Sequence, residues 1–292
     1  MPCYHPLPAW LSQEVNESGK RGIVFRMTEG FIDKPVELPC GTCVGCRLER
    51  AREWAVRCMH ESKLYASNAF VTLTYDDENL PKNGSLVPER FVLFMKRMRY
   101  YYSGIRFFHC GEYGDRTERP HHHALLFNCE LPDGVFLSTG ESGERLYRSD
   151  FLERAWGHGN VSFGAVTFES AGYVARYSMK KLRGAAGLRY YGDRVPPYGT
   201  MSRRPGIGHD WALRFMPDWY RDDALIVNGV ESKPPRYYDS LYEKFAPEAM
   251  RRVKAARVRA ALDSPDNSGR RLVVREAVKS SAIALLERGD PL

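Results

Sequence analysis

No apolar run in the 292-residue chain is long enough to span a bilayer, and the N-terminus lacks the basic, apolar and small-residue succession of a secretory signal. A soluble intracellular protein is the expectation. No Gly-x-x-x-x-Gly-Lys-Ser/Thr occurs, which excludes a P-loop motor in this sequence. Internal repeats and low-complexity tracts are missing too, so the chain is not a repeat array. Its seven cysteines, Cys3, Cys40, Cys43, Cys46, Cys58, Cys110 and Cys129, are odd in number and three are tightly clustered. That argues against a secreted disulfide scaffold. Reduced thiols, some of them on a metal, fit a cytoplasm better.

What the chain does carry is positive charge and aromatic rings. Lys and Arg number 43 against 36 Asp and Glu, a net +7 with a pI near 9.0. That excess suits a polyanionic partner, and the planar fork of Arg matches phosphate oxygens as Lys does not. Aromatics make up 12%, with seventeen Tyr, a supply that can stack on unpaired bases or fill a core.

Hydrophobic patterning gives an order of elements. Residues 1–45 are broken by Gly and Pro, with strands expected around 21–26 and 34–38. Residues 45–66 read as a helix, because Leu48, Ala51, Ala55, Cys58 and Met59 fall at near-helical spacing. FVTLTY (70–75) is a strand, residues 88–102 a helix with Pro88 in its first turn, and 105–113 and 121–127 two further strands. Residues 128–148 form a loop or peripheral hairpin. Ser149 caps a short helix through Trp156 and 160–166 is a strand. Residues 169–182 form a helix, 196–208 a loop, 211–220 a short helix, and 225–237 a strand pair. The last 42 residues hold ten Lys/Arg against five Asp/Glu, a basic helical extension. Strands interleaved with helices without a βαβ rhythm predict an α+β fold around an antiparallel sheet.

Two stretches carry chemistry. In GEYGDRTERPHHHALLF (111–127), strand alternation puts His121 and His123 on one face and His122 on the other. Glu112, nine residues earlier across a polar turn, can join the pair. Imidazoles plus a carboxylate, with positions left for water or phosphate, suit Mn²⁺ or Mg²⁺ better than a closed zinc cage. The structural alternative is a His-x-His that only packs. In GYVARYSMKKL (172–182), Tyr173 and Tyr177 share a helix face that Lys180 and Lys181 extend with charge. A neighbouring ammonium favours the phenolate, and tyrosine can then form a covalent phosphodiester intermediate. Core packing of the tyrosine pair is the plain alternative.

PCGTCVGCR supplies Cys40, Cys43 and Cys46, with Cys3 the fourth candidate ligand of a structural zinc. An iron–sulfur cluster, or packed reduced thiols, fits the spacing as well. Arg47, Arg50, Arg52 and Arg57 follow on the next helix, some of them able to face phosphates and others a solvated surface.

Taken in order, CGTCVGCRLERAREWAVRCMHE, FVTLTYDD, GEYGDRTERPHHHALLF, YVARYSMKKL and SRRPGIG resemble the HUH endonucleases, replication initiators of rolling-circle replicons. Within them they resemble the initiators of gokushovirus-like microviruses, over about residues 1–220. The resemblance implies a nuclease fold with a central antiparallel sheet of about five strands, ferredoxin- or RRM-like, flanked by helices. It divides the chain into a Cys-rich segment and helix (1–66), the endonuclease core (67–190), accessory elements (191–250) and the basic helical tail (251–292). Carried over by position, it makes His121, His123 and Glu112 the Mg²⁺ or Mn²⁺ ligands and Tyr173 and Tyr177 the nucleophile pair. It makes Lys180 the lysine three residues after the second tyrosine; Lys181 is a further candidate beside it, and Arg47, Arg50, Arg176, Arg203 and Arg204 are candidates for DNA binding. His122 departs from the usual apolar middle residue. The implied activity is metal-dependent nicking of single-stranded origin DNA through a 5′-phosphotyrosine and later religation, in the cytoplasm of a bacterial host, with host helicase and polymerase as partners. A transposase of the same fold and a non-catalytic ssDNA-binding or packaging protein are the competing readings.

Overall fold

The computed structural model describes residues 3–17, 19, 21–140, 143–176 and 184–289. In it the chain divides into two units, one formed by residues 1–50 with 256–292 and the other by residues 51–255. The first contains β1 (Leu7–Val15), β2 (Arg21–Val24) and β3 (Gly30–Leu38), an antiparallel sheet of order β2-β1-β3. Two of these strands were expected. β1 was not, because Pro8 and its bunched apolar residues, Ala9, Trp10 and Leu11 in a row, give no clear alternation. The helix Gly269–Gly289 belongs to the same unit. Helix α1 (Val44–Ser62) continues into the second unit.

The second unit is built on a seven-stranded sheet, larger than the five strands expected. In chain order its strands are β4 (Asn68–Thr74), β5 (Arg106–Tyr113), β6 (Pro120–Phe127), β7 (Val135–Thr139), β8 (Arg145–Arg148), β9 (Val161–Gly164) and β10 (Tyr198–Met201). The spatial order is β10-β5-β6-β4-β9-β8-β7, so FVTLTY lies in the middle. Every pairing is antiparallel. The hairpin after residue 128 supplies β7 and β8. β10 corrects the loop expected over residues 196–208. Tyr198 pairs with Gly111 and Met201 with Phe108 at an edge where only four residues are needed. Gly111 permits the approach, since a Cβ there would meet the Tyr198 ring at 2.9 Å and His122 Nδ1 at 3.2 Å.

The period of two divides the apolar residues cleanly between the faces. Ala69, Val71, Leu73, Phe107, Ala124 and Leu126 pack against α2 (Pro88–Tyr101), through its Phe91, Phe94, Met95 and Met98, and against α3 (Asp150–Trp156). Phe108, Cys110, Leu125 and Phe127 face Ala51, Ala55 and Cys58 of α1 and Ala171, Val174 and Ala175 of α4 (Phe168–Ala175). Each fully buried large side chain contributes about 1.5–3 kcal/mol, so both sheet faces are committed to core and the register cannot slip. Ser149 caps α3 as expected, its hydroxyl accepting from Leu152 N–H. Gly159, at φ +142°, lets the chain cross tightly over β4, where a Cβ would lie 2.4 Å from the Asp76 nitrogen. A third cluster, Met216, Tyr220, Tyr242 and Met250, joins the helices His209–Asp222, Arg236–Phe245 and Pro247–Leu262. Among the described residues no helix is long and apolar enough to cross a membrane.

Candidate functional site

β5 and β6 pair so that Glu112 stands opposite His121 and Cys110 opposite His123. The pleat therefore projects Glu112, His121 and His123 from one face, as the alternation predicts. Their ligand atoms lie within 4.8 Å of one another. Glu112 Oε1 is 3.5 Å from His121 Nε2 and 3.4 Å from His123 Nε2.

The far nitrogen of each ring is held from behind. His121 Nδ1 sits 3.1 Å from the Arg119 carbonyl oxygen, which can only accept, so Nδ1 carries a proton and Nε2 is the ring nitrogen left to serve as a metal ligand. His123 Nδ1 is 3.0 Å from Thr72 Oγ1 on β4. Such outer partners orient imidazoles that bind metals. Two imidazole nitrogens and one carboxylate are a donor set that fits a divalent ion with positions to spare.

Tyr173 reaches the same carboxylate. Its hydroxyl donates to Glu112 Oε1 at 3.2 Å. Helix α4 is started by a capping box between Thr167 and Ser170 and fixed to the sheet through Ala171, Val174 and Ala175. The Tyr173 ring meets His123 edge to face at 5.0 Å and Phe70 at 6.4 Å, while Phe70 stacks on His123 at 5.6 Å. Burial first, then the charge and hydrogen bond of Glu112, push the Tyr173 phenol well above its usual range. Without a cation the group is a neutral phenol.

His122 points the other way, into the first core cluster. His122 Nε2 lies 3.1 Å from the Tyr75 hydroxyl, His122 Nδ1 lies 3.0 Å from His109 Nε2, and His109 Nδ1 lies 3.0 Å from Thr200 Oγ1. One direction of donation, from Tyr75 through both neutral rings to Thr200, satisfies the whole chain. Burial, joined by the neighbouring His121 and His123, lowers His122 to about 3 and keeps it neutral.

Tyr177, Lys180 and Lys181 lie outside the described residues. Arg176 follows α4 and is exposed, as are Arg203 and Arg204, whereas Arg47 and Arg50 are half-buried. Arg57 is clamped between the rings of Trp54 and Tyr237 at 4.0 Å each, which marks it as a packing element rather than a phosphate ligand. The motif reading missed Thr72 and Phe70, although their position on the strand beside the histidines follows from the same alternation. It also missed a cavity of about 280 Å³ next to Glu112, lined by Tyr113, Asp115, Glu118 and Tyr190. Glu118 there accepts from the Tyr190 hydroxyl at 2.7 Å and from Arg194 at 2.9 Å. No local spacing brings residue 190 next to 112.

The second group of candidate ligands is Cys3, Cys40, Cys43 and Cys46, again within 4.8 Å. Burial pushes Cys46 up to about 12. At Cys40 burial is outweighed by N–H donors from Cys43 and Thr42 and by the Thr42 hydroxyl, which together lower it to about 6.

Comparison with known proteins adds the following. The family model described as replication-associated protein ORF2/G2P matches residues 68–182, a span that contains Thr72, Glu112, the three histidines and Tyr173. The replication-associated protein VP4 of Bdellovibrio phage phiMH2K is 40% identical over 220 residues, covering 72% of this chain and 69% of that protein. The replication-associated protein ORF2 of Spiroplasma virus 4 is 35% identical over 223 residues, 71% of this chain and 68% of that protein. The replication-associated protein ORF4 of Chlamydia phage 1 is 28% identical over 226 residues, 72% of this chain and 55% of that protein. No solved structure matches the chain.

Proposed function

From a chain that belongs to the phage replication-associated proteins, and among them to the gokushovirus-like replication initiators, we propose a single-strand DNA endonuclease and strand transferase that opens the viral origin. The observation that carries this reading is the convergence of Tyr173 with His121 and His123 on one carboxylate, Glu112. A divalent ion, Mg²⁺ or Mn²⁺, held by those three ligands would polarise the scissile phosphate as a Lewis acid.

The protein's own groups do the rest. The β5–β6 face fixes the phosphate site in a rigid sheet, and α4 holds the phenol beside it. Attack by the Tyr173 oxygen forms a P–O bond and breaks the P–O3′ bond. The phenol gives up its proton, O3′ takes one up, and the 5′ end stays on the protein as a phosphotyrosine. Tyr177 is the second nucleophile, cleaving the regenerated origin so that the free 3′-OH can close the first circle. Lys180 and Lys181 favour the phenolate form. Arg176, Arg203 and Arg204 take the phosphates flanking the cut, Arg47 and Arg50 bind DNA phosphates as well, and the cavity beside Glu112 receives the neighbouring nucleotide. Host helicase and host polymerase unwind and extend, in the bacterial cytoplasm. Cys3, Cys40, Cys43 and Cys46 hold a second, structural metal and carry no step.

The test is incubation with single-stranded origin DNA and Mn²⁺, followed by peptide mapping. A covalent adduct on Tyr173 or Tyr177 is expected, lost in the double Tyr→Phe variant. DNA binding without any adduct would instead mark a silent ssDNA-binding or packaging protein.

A further inference from the structure

The cysteine group lies in the unit formed by residues 1–50 and 256–292. A tetrahedral zinc with Zn–S bonds of about 2.3 Å needs sulfurs about 3.8 Å apart. Here the sulfurs fall within 4.8 Å, with Cys3 and Cys43 at 4.0 Å. That is too long for a disulfide, and the thiols are free. A cubane iron–sulfur cluster hangs each thiolate on a different iron and needs a wider cage. The group is therefore sized for one ion.

Backbone amides already serve the sulfurs as acceptors. Cys40 N–H donates to Cys3 Sγ at 3.2 Å, Cys43 N–H to Cys40 Sγ at 3.3 Å, and Tyr4 N–H to Cys43 Sγ at 3.4 Å. Cys46 N–H donates to Cys43 Sγ at 3.5 Å, so that sulfur caps the first turn of α1. Donors of this kind favour thiolate over thiol.

What surrounds the sulfurs comes from the other end of the chain. Tyr4, Cys43 and Leu272 form one buried cluster with Val44 and the remaining cysteines, and Leu272 stands in the first turn of the helix Gly269–Gly289. One turn on, Glu276 pairs with His5 at 2.6 Å. Tyr4, Ala9, Cys43 and Leu272 are the hydrophobic side chains buried in this unit among the described residues. Four such side chains are too few to order a three-stranded sheet and a long helix unaided.

We propose that Cys3, Cys40, Cys43 and Cys46 bind one Zn²⁺ and that this ion joins the two ends of the chain, by fixing the surface on which Leu272 and Glu276 dock. The proposal rests on the reading of these cysteines as metal ligands and adds the metal's identity and its role. Zinc is then part of the folding of the unit, as in other small modules with little core.

The experiment uses the full-length protein, purified without chelator, for elemental analysis and hydrogen–deuterium exchange. One tightly held zinc per chain is expected. Stripping it with a chelator should speed exchange in residues 269–285 at least tenfold, and Zn²⁺ but not Mg²⁺ should restore protection, while peptides from β4 to β6 stay unchanged. Leu272→Ala in the zinc-loaded protein should show the same loss over 269–285. Zinc present with exchange of the helix indifferent to its removal overturns the linkage and leaves the metal-site reading intact. No metal on these cysteines overturns both, and a brown, iron-containing protein overturns zinc.

Discussion

Glu112→Gln separates the cost of the metal site from its use. The Glu112 side chain is 4% exposed, 3.4–3.5 Å from two imidazole nitrogens and 3.2 Å from the Tyr173 hydroxyl. Desolvating an ionised carboxylate costs several kcal/mol, and contacts this long return only part of it. Gln keeps an acceptor for Tyr173 and drops the charge, so the metal-free variant should melt no lower than wild type. With Mn²⁺ the order reverses. At one hundred times its Kd a ligand adds about 2.7 kcal/mol, which for a unit of roughly 200 residues raises Tm by about 5–10 °C. Losing the charged ligand should weaken Mn²⁺ at least about 100-fold, worth about 2.7 kcal/mol. At the same concentration the variant then stands at its Kd and gains only about 0.4 kcal/mol, near 1 °C. Calorimetric melts across a Mn²⁺ titration, starting from none, read both effects. An equal Mn²⁺ shift in the two proteins, or a metal-free Glu112→Gln that melts several degrees below wild type, would refute the site.

Further outcomes follow from the same geometry. Tyr173→Phe keeps the ring contacts with His123 and Phe70; its stability should stay within about 1 kcal/mol of wild type, and denaturing gels should show no adduct at that position. His122→Ala should cost about 3 kcal/mol in urea unfolding, from the cavity and from the stranded Tyr75 and His109 partners; a cost under about 1 kcal/mol would refute the buried chain. Arg203→Ala with Arg204→Ala should make ssDNA binding less salt-dependent, lowering the log K against log salt slope by about 0.7 for each phosphate no longer neutralised; an unchanged slope would remove both from the DNA path. His60 is buried against Tyr238 and Trp219, and burial, then Lys63, lowers it to about 3. The unfolded chain therefore binds the extra proton below about pH 6.5, and stability is lost as pH falls from there toward 3, by up to about 1.4 kcal/mol per unit. Urea midpoints at pH 7 and pH 5.5 check this against His60→Phe, in which that slope should be reduced.

The parts legible in the sequence were those with a short period. Alternation alone placed His121 and His123 opposite His122, and the nine-residue span brought Glu112 to them because the turn at Gly114 closes an ordinary hairpin, its N–H donating to the Arg119 carbonyl. The helix starts marked by the Ser149 cap and by Pro88 at the first helical position were readable for the same local reason. What stayed hidden depends on residues distant in sequence. β10 is four residues whose strand character comes from lying along β5, not from its own Gly- and Pro-rich neighbourhood. The cavity beside Glu112 needs Tyr190 and Pro197, and the packing around the cysteines needs Leu272. Neither pairing leaves a periodic signal.

The histidine triplet shows how a buried imidazole can take a place where an apolar residue would only pack. At the middle position an apolar side chain would simply fill the core. His122 must instead satisfy two ring nitrogens in a buried place, and it does so only because His109 lies on the flanking β5, Tyr75 lies just past the end of β4, and Thr200 lies on β10. The chain of hydrogen bonds crosses three adjacent strands, β10, β5 and β6, and ends on Tyr75 just past β4. A slip of β6 by one residue would move His122 to the ligand face and leave those partners unpaired. The polar chain on one face thus enforces the register that sets His121 and His123 beside Glu112 on the other.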